Sequence, residues 1–162
     1  MPRSEEQRQL ETFIDKFSPE IAAKTRIELQ RMRELLPIAI ELVYDNYNAL
    51  AIGFGPSEKA SEAIFSLAVY PRWLTLFFLQ GTKIADPENL LCGTGSQVRH
   101  IRLTDPHLLL SPAVRALMLD ALNKARVPLS ALAKHRIIIK LISTKQRPRR
   151  YNSSTGAAFQ AF

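Results

Sequence analysis

Between Glu41 and Leu79 four strand-sized segments follow one another with only turns and one short loop between them. Parallel pairing of consecutive strands needs a crossover of about a dozen residues, so this run can close only as an antiparallel meander. Glu41 to Asp45 sets Leu42 and Tyr44 on one face. Ala49 to Phe54 alternates Leu50, Ile52 and Phe54 with small residues. Ala63 to Tyr70 aligns Phe65, Leu67 and Val69, and Trp73 to Leu79 is the most apolar and the expected central strand. Asn46-Tyr47-Asn48, Gly55 to Lys59 and Pro71-Arg72 carry the turn chemistry between them. A fifth strand is expected at Gln97–Leu103 and one more at about 137–142.

Two helices flank this run. Ser18-Pro19-Glu20 is a helix start: Ser18 can accept from free backbone N–H groups, Pro19 fits the first turn and Glu20 suits the positive helix end. Ile21, Thr25, Leu29, Met32 and Leu36 then fall on one stripe, and Pro37 marks its end. Ser111-Pro112 repeats the device ahead of Val114, Leu117, Met118, Ala121, Leu122 and Ala125, with Pro128 beyond. A weaker helical segment spans about Glu5 to Lys16. The expectation is an α+β two-layer sandwich: an antiparallel sheet of five or six strands with two main helices on one face. With 162 residues, 46% of them apolar, the chain can bury a single core. Its parts are then an N-terminal helical extension at 1–17, a domain at 18–126, and a basic C-terminal extension at 127–162. That extension is expected to fray from Ser143 onward and to be disordered at its end.

Several function classes are excluded or disfavoured. One Cys allows no intramolecular disulfide, and one Cys with three scattered His fits no structural zinc site. No stretch approaches the roughly 20 apolar residues of a membrane span. The polar start, Met-Pro-Arg-Ser-Glu-Glu, lacks the apolar run of a secretory signal. A soluble, cytoplasmic protein with no membrane partner is the expectation.

Three segments carry a resemblance. They are Glu41-Leu-Val-Tyr-Asp-Asn-Tyr-Asn-Ala-Leu, Tyr70-Pro-Arg-Trp-Leu-Thr-Leu-Phe-Phe-Leu, and Leu90-Leu-Cys-Gly-Thr-Gly-Ser-Gln-Val-Arg-His-Ile-Arg-Leu. In this order, over roughly residues 18–125, they resemble the bacterial YdhG-like family. The ending Ile139 to Arg150 is similar to the tail of one subset. Where many members carry Lys after the second glycine, this chain has Ser96. The resemblance implies an α+β fold with helices on one sheet face. It also implies a non-enzymatic binding or metal-handling accessory role, because one member group is described as frataxin-like and handles iron. Iron is therefore the one cofactor the resemblance suggests. Hard ions take oxygen ligands, and the N-terminal segment offers Glu5, Glu6, Glu11, Asp15, Glu20, Glu28 and Glu34, interspersed with Lys24, Arg26, Arg31 and Arg33.

Three further candidates come from the residues themselves. Gly93 and Gly95, followed by Arg99 and His100, could cradle a small anion, since glycines let backbone N–H groups approach and Arg supplies a forked donor. The plainer alternative is a tight turn into a strand, with Arg99 paired to an acid such as Asp86. Cys92 lies in the same loop, but its spacing from His100 enforces no contact. Tyr47, Arg72 and Trp73 could rim a ligand pocket, while turn chemistry accounts for Asp45 and core packing for Tyr44. Finally, all 15 acidic residues lie at or before Asp120, whereas basic ones continue to Arg150. Lys140, Lys145, Arg147, Arg149 and Arg150 could contact a polyanion such as nucleic acid weakly and without sequence preference. The alternative is a solubilising tail that pins the 137–142 strand to the sheet.

Overall fold

In a computed structural model describing residues 3–150, the meander forms as its turns require. β1 (Ile40–Asp45), β2 (Leu50–Gly55), β3 (Phe65–Val69) and β4 (Leu74–Phe78) pair antiparallel in chain order, and β5 (Arg99–Arg102) continues beside β4. β6 (Ile137–Ile142) returns to the opposite edge and pairs with β1 in parallel, with an irregularity between Val43 and Tyr44. The order is β5-β4-β3-β2-β1-β6. The fold is thus α+β with a six-stranded sheet, mixed rather than wholly antiparallel. The long excursion from β5 to β6, which includes a helix, supplies the crossover that a parallel neighbour needs. β4 is interior but not central, because β2 and β3 form the middle of the sheet.

Three helices cover one face. α1 (Glu5–Ile14), α2 (Pro19–Leu35) and α3 (Pro112–Asn123) start at Ser4, Ser18 and Ser111, whose hydroxyls accept from Gln7, Ile21 and Val114 backbone N–H groups. α2 buries Ile21, Thr25, Leu29 and Met32, the stripe its spacing predicts, and α3 buries Val114, Leu117, Met118 and Ala121. α1 is no appendage: Leu10, Phe13 and Ile14 belong to the same buried core. α3 ends at Asn123, before Pro128 could terminate it.

On β1 the two faces are the reverse of the pattern expected from its apolar residues. The side facing the helices carries Glu41, Val43 and Asp45, level with Phe54, Ile52 and Leu50 of β2. Leu42 and Tyr44 face the other way. Glu41 and Asp45 are fully buried, which is tolerable only because each is paired. Arg33 of α2 grips Glu41 with two bonds of 2.7 and 2.8 Å, and the His135 ring lies 2.6 Å from the same carboxylate. Asp45 accepts from Lys16 at 2.7 Å and from Arg149 at 2.9 Å. Asp45 is therefore an internal ion-pair partner rather than a turn residue.

These pairs fasten the basic C-terminal segment to the body. Past β6, the Ser143 and Arg147 N–H groups donate to the carbonyls of Asp45 and Tyr47 at 2.9 and 2.8 Å. Arg149 is buried, donates also to the Asn46 carbonyl, and lies 5.6 Å from the Phe17 ring. Arg150 donates to the Asp15 and Lys16 carbonyls at the end of α1, both at 3.2 Å, where a cation suits the helix dipole. The expected fraying from Ser143 does not occur through Arg150. The disordered end expected beyond it lies outside the described residues.

Stability should fall with acid in a defined direction. Burial alone would raise the Glu41 carboxyl, but hydrogen bonds from His135 and Arg33 outweigh it and hold it below its ordinary range. Burial likewise opposes, and bonds from Lys16, Gln146 and Arg149 overcome, the tendency of Asp45 to rise. A depressed carboxylate contributes stability above its unfolded value and loses it as pH falls through the folded value. Urea midpoints should therefore drop progressively below about pH 5. Glu28, raised by burial, acts in the opposite direction. Asp120, bonded by Lys124, is lowered as well, so three depressed carboxylates against one raised set the predicted sign, and a midpoint that rose on acidification would contradict it.

Candidate functional site

The sheet face opposite the helices is partly open: Leu42, Gly53, Ala68 and Thr75 are buried on it, Tyr44, Ala51, Ser66, Phe77 and His100 are half-buried, and Arg102 is exposed. The core shared with the helices takes Val43, Ile52, Leu67, Leu76 and Ile101, all on one face. Side chains between those positions point outward and fall into two rows across the strands. One row runs Tyr44, Ala51, Ala68, Thr75 and Arg102. The other runs Leu42, Gly53, Ser66, Phe77 and His100, with Ile138 of β6 beside Leu42. Neither row contains a carboxylate.

Small residues on the middle strands make a floor, and rings stand around it. A shallow depression of about 450 Å³ has Ala51, Ser66 and Ala68 below and Tyr47, Tyr70 and Phe77 around it. Tyr47 is 49% exposed, so its ring is available to a visitor. Cations sit against the aromatics. The Arg102 guanidinium lies 4.1 Å from the centre of the Trp73 ring, and Arg147 lies 5.4 Å from that of Tyr47. Such separations fall within the range of cation–π attraction. The His100 ring is 5.5 Å from Phe77, and Trp73 is 5.5 Å from Tyr70. The Tyr44 hydroxyl is buried without a hydrogen-bond partner, and burial raises its ionisation above the ordinary tyrosine value.

The residues singled out in the sequence divide between this face and elsewhere. Tyr47, Trp73 and His100 lie on it or at its margin, and exposed Arg72 sits in the β3–β4 turn beside Trp73. In the 93–100 loop the arginine is engaged by backbone carbonyls. Arg99 Nη1 donates to the carbonyls of Gly95 and Val98, so the guanidinium braces its own loop rather than pairing with Asp86. Asp86 instead accepts from the Leu90 and Leu91 N–H groups at 2.9 and 2.8 Å. Gly93 turns the chain at φ 125°, and a Cβ on Gly81 would lie 2.4 Å from that of Arg99, so glycine is required there by close approach. Cys92 and His100 do meet, as backbone partners at 2.8 and 2.9 Å, while the Cys92 thiol is directed to the Leu90 carbonyl at 3.9 Å.

Of the five basic candidates, Arg149 is enclosed with Asp45, Arg150 holds α1, and Lys140 donates to the Glu58 carbonyl at 3.0 Å. Arg147 lies against the Tyr47 ring at the margin of the sheet, and Lys145 is exposed. Tyr70, Phe77 and Arg102 were not singled out in the sequence, and Tyr44 was assigned there to core packing. The signal for Phe77 and Arg102 was strand alternation, since each has the opposite parity to a core neighbour, Leu76 or Ile101.

Among the described residues no three of His, Cys, Asp and Glu gather as a metal-holding group. The N-terminal acids Glu11 and Asp15 pair with Arg26, and Glu28 pairs with Arg31. No described helix is long and apolar enough to cross a membrane. In comparisons with known proteins the chain matches no family model, no curated protein and no solved structure.

Proposed function

We propose that this protein is a non-catalytic binding domain that takes single-stranded nucleic acid on its outward sheet face. The observation that supports the reading is a sheet face with no carboxylate in its rows that sets Arg102 against Trp73 and His100 against Phe77, with Tyr47 and Arg147 across the depression from Phe77. Single-strand binders combine aromatic platforms, on which bases stack, with cations that follow the backbone. A rigid duplex cannot use such a platform, because its bases are already stacked on each other. Base stacking on aromatic rings does not depend on base identity, so binding is sequence-tolerant.

The test is fluorescence anisotropy with labelled oligouridylate, oligothymidylate and a duplex of equal length. Single strands are expected to bind more tightly than the duplex, with affinity falling as salt rises, because each neutralised phosphate releases condensed counterions. Equal affinity for duplex and single strand would refute the stacking platform.

A further inference from the structure

We propose a second binding site, beside the C-terminal end of α3, for a small organic anion with a compact apolar body. A cavity of about 380 Å³ opens between the 61–64 segment, the 80–84 turn and the C-terminal end of α3. Its size lies within the range of small-molecule sites.

The walls are fixed before any ligand arrives. Lys124 Nζ donates to Asp120 Oδ2 at 2.9 Å and to the Lys83 carbonyl at 3.1 Å, tying α3 to the turn. The Ala85 N–H donates to the same Asp120 oxygen at 3.0 Å. The bottom is apolar, with buried Ile64, Ile84 and Ala121 contributing to it.

The charge of the lining is left positive. Glu62 is the one carboxylate among the lining residues. It accepts from the Ser57 hydroxyl at 2.7 Å and has Lys59 Nζ at 3.9 Å, so its charge is already answered. Asp120, just behind the wall, is answered by Lys124. Among the described residues the Lys83 ammonium and the Arg126 guanidinium take part in no ion pair or hydrogen bond, and both line the opening. Gln97 adds an amide that can donate. Two cations and an amide over an apolar base suit a carboxylate or phosphate head on a ring or short alkyl body. Inorganic phosphate alone would leave the apolar base wet.

The experiment is isothermal titration of the full chain with phenyl phosphate, benzoate and inorganic phosphate. At least one of the two aromatic anions should bind saturably and more tightly than inorganic phosphate, and their order identifies the preferred head group. Because Lys83 and Arg126 are exposed, Lys83→Gln with Arg126→Gln should leave thermal unfolding unchanged. That double variant should weaken the aromatic anion by about tenfold or more, the size of a lost charge-assisted bond. Oligonucleotide binding by the same variant should be unaltered, because neither Lys83 nor Arg126 belongs to the rows of the sheet face. Absence of saturable binding by both aromatic anions, or undiminished binding by the double variant, would overturn the proposal.

Discussion

Asp45→Ala is expected to lower the unfolding free energy by about 3 kcal/mol or more, the cost of removing one partner from a buried ion pair. The loss arises mainly at Arg149. Its side chain is only 4% exposed and cannot turn to water, whereas Lys16, 40% exposed, can. The Asn46 carbonyl still accepts from the stranded guanidinium and moderates the cost. Asp45→Ala combined with Arg149→Met should recover much of the loss, because an uncharged pair no longer leaves a buried cation without its carboxylate. Urea unfolding of the two variants checks this. A single variant within about 0.5 kcal/mol of the parent, the range of ordinary surface substitutions, would show that the C-terminal segment is not latched through this pair.

The second large effect belongs to the sheet face. Phe77→Ala should weaken single-strand binding by roughly 1–3 kcal/mol, the usual worth of one stacked base. Phe77 is half-buried at the surface and lies on the opposite side of its strand from the core residues Leu76 and Phe78. The fold should therefore survive the change. Arg102→Gln should instead reduce the salt dependence, because it removes a phosphate-neutralising charge and leaves the platform in place. Anisotropy titrations at several salt concentrations separate the two outcomes.

Much of the architecture was legible because its signals were local. Turn residues between short apolar runs forced the meander, and Ser-Pro starts with apolar stripes marked α2 and α3. What was hidden depended on long-range pairing. Alternation along β1 correctly divided its residues into two faces. It could not reveal that Glu41 and Asp45 turn toward the helices, because their partners Arg33, Lys16, His135 and Arg149 come from other elements. For the same reason the C-terminal basic run looked like a free tail: charge composition does not show that one of its arginines enters the body. The parallel pairing of β6 was equally invisible, since nothing local distinguishes the two directions for a distant edge strand.

The candidate site was half legible. Tyr47, Trp73 and His100 stood out as chemistry-bearing side chains, but their common face emerges only when five strands are set in register. The glycine loop attracted attention because flexible loops often carry function. Its arginine is taken up by carbonyls three-dimensionally adjacent to it, which spacing alone did not disclose. Of the acids that the N-terminal segment offers, Glu11 and Asp15 pair with Arg26 and Glu28 pairs with Arg31, contacts that spacing alone did not disclose.

The chain contains one tryptophan, so the central claim has an internal reporter. Trp73 lies at the outward face, half-buried, with Arg102 against its ring. Titration with oligothymidylate at low salt should change Trp73 emission saturably, and added salt should reverse the change. The same titration on Phe77→Ala should reach the same end point only at higher oligonucleotide concentration. Tight binding by anisotropy with no change in Trp73 emission would place the nucleic acid elsewhere on the protein and contradict the account.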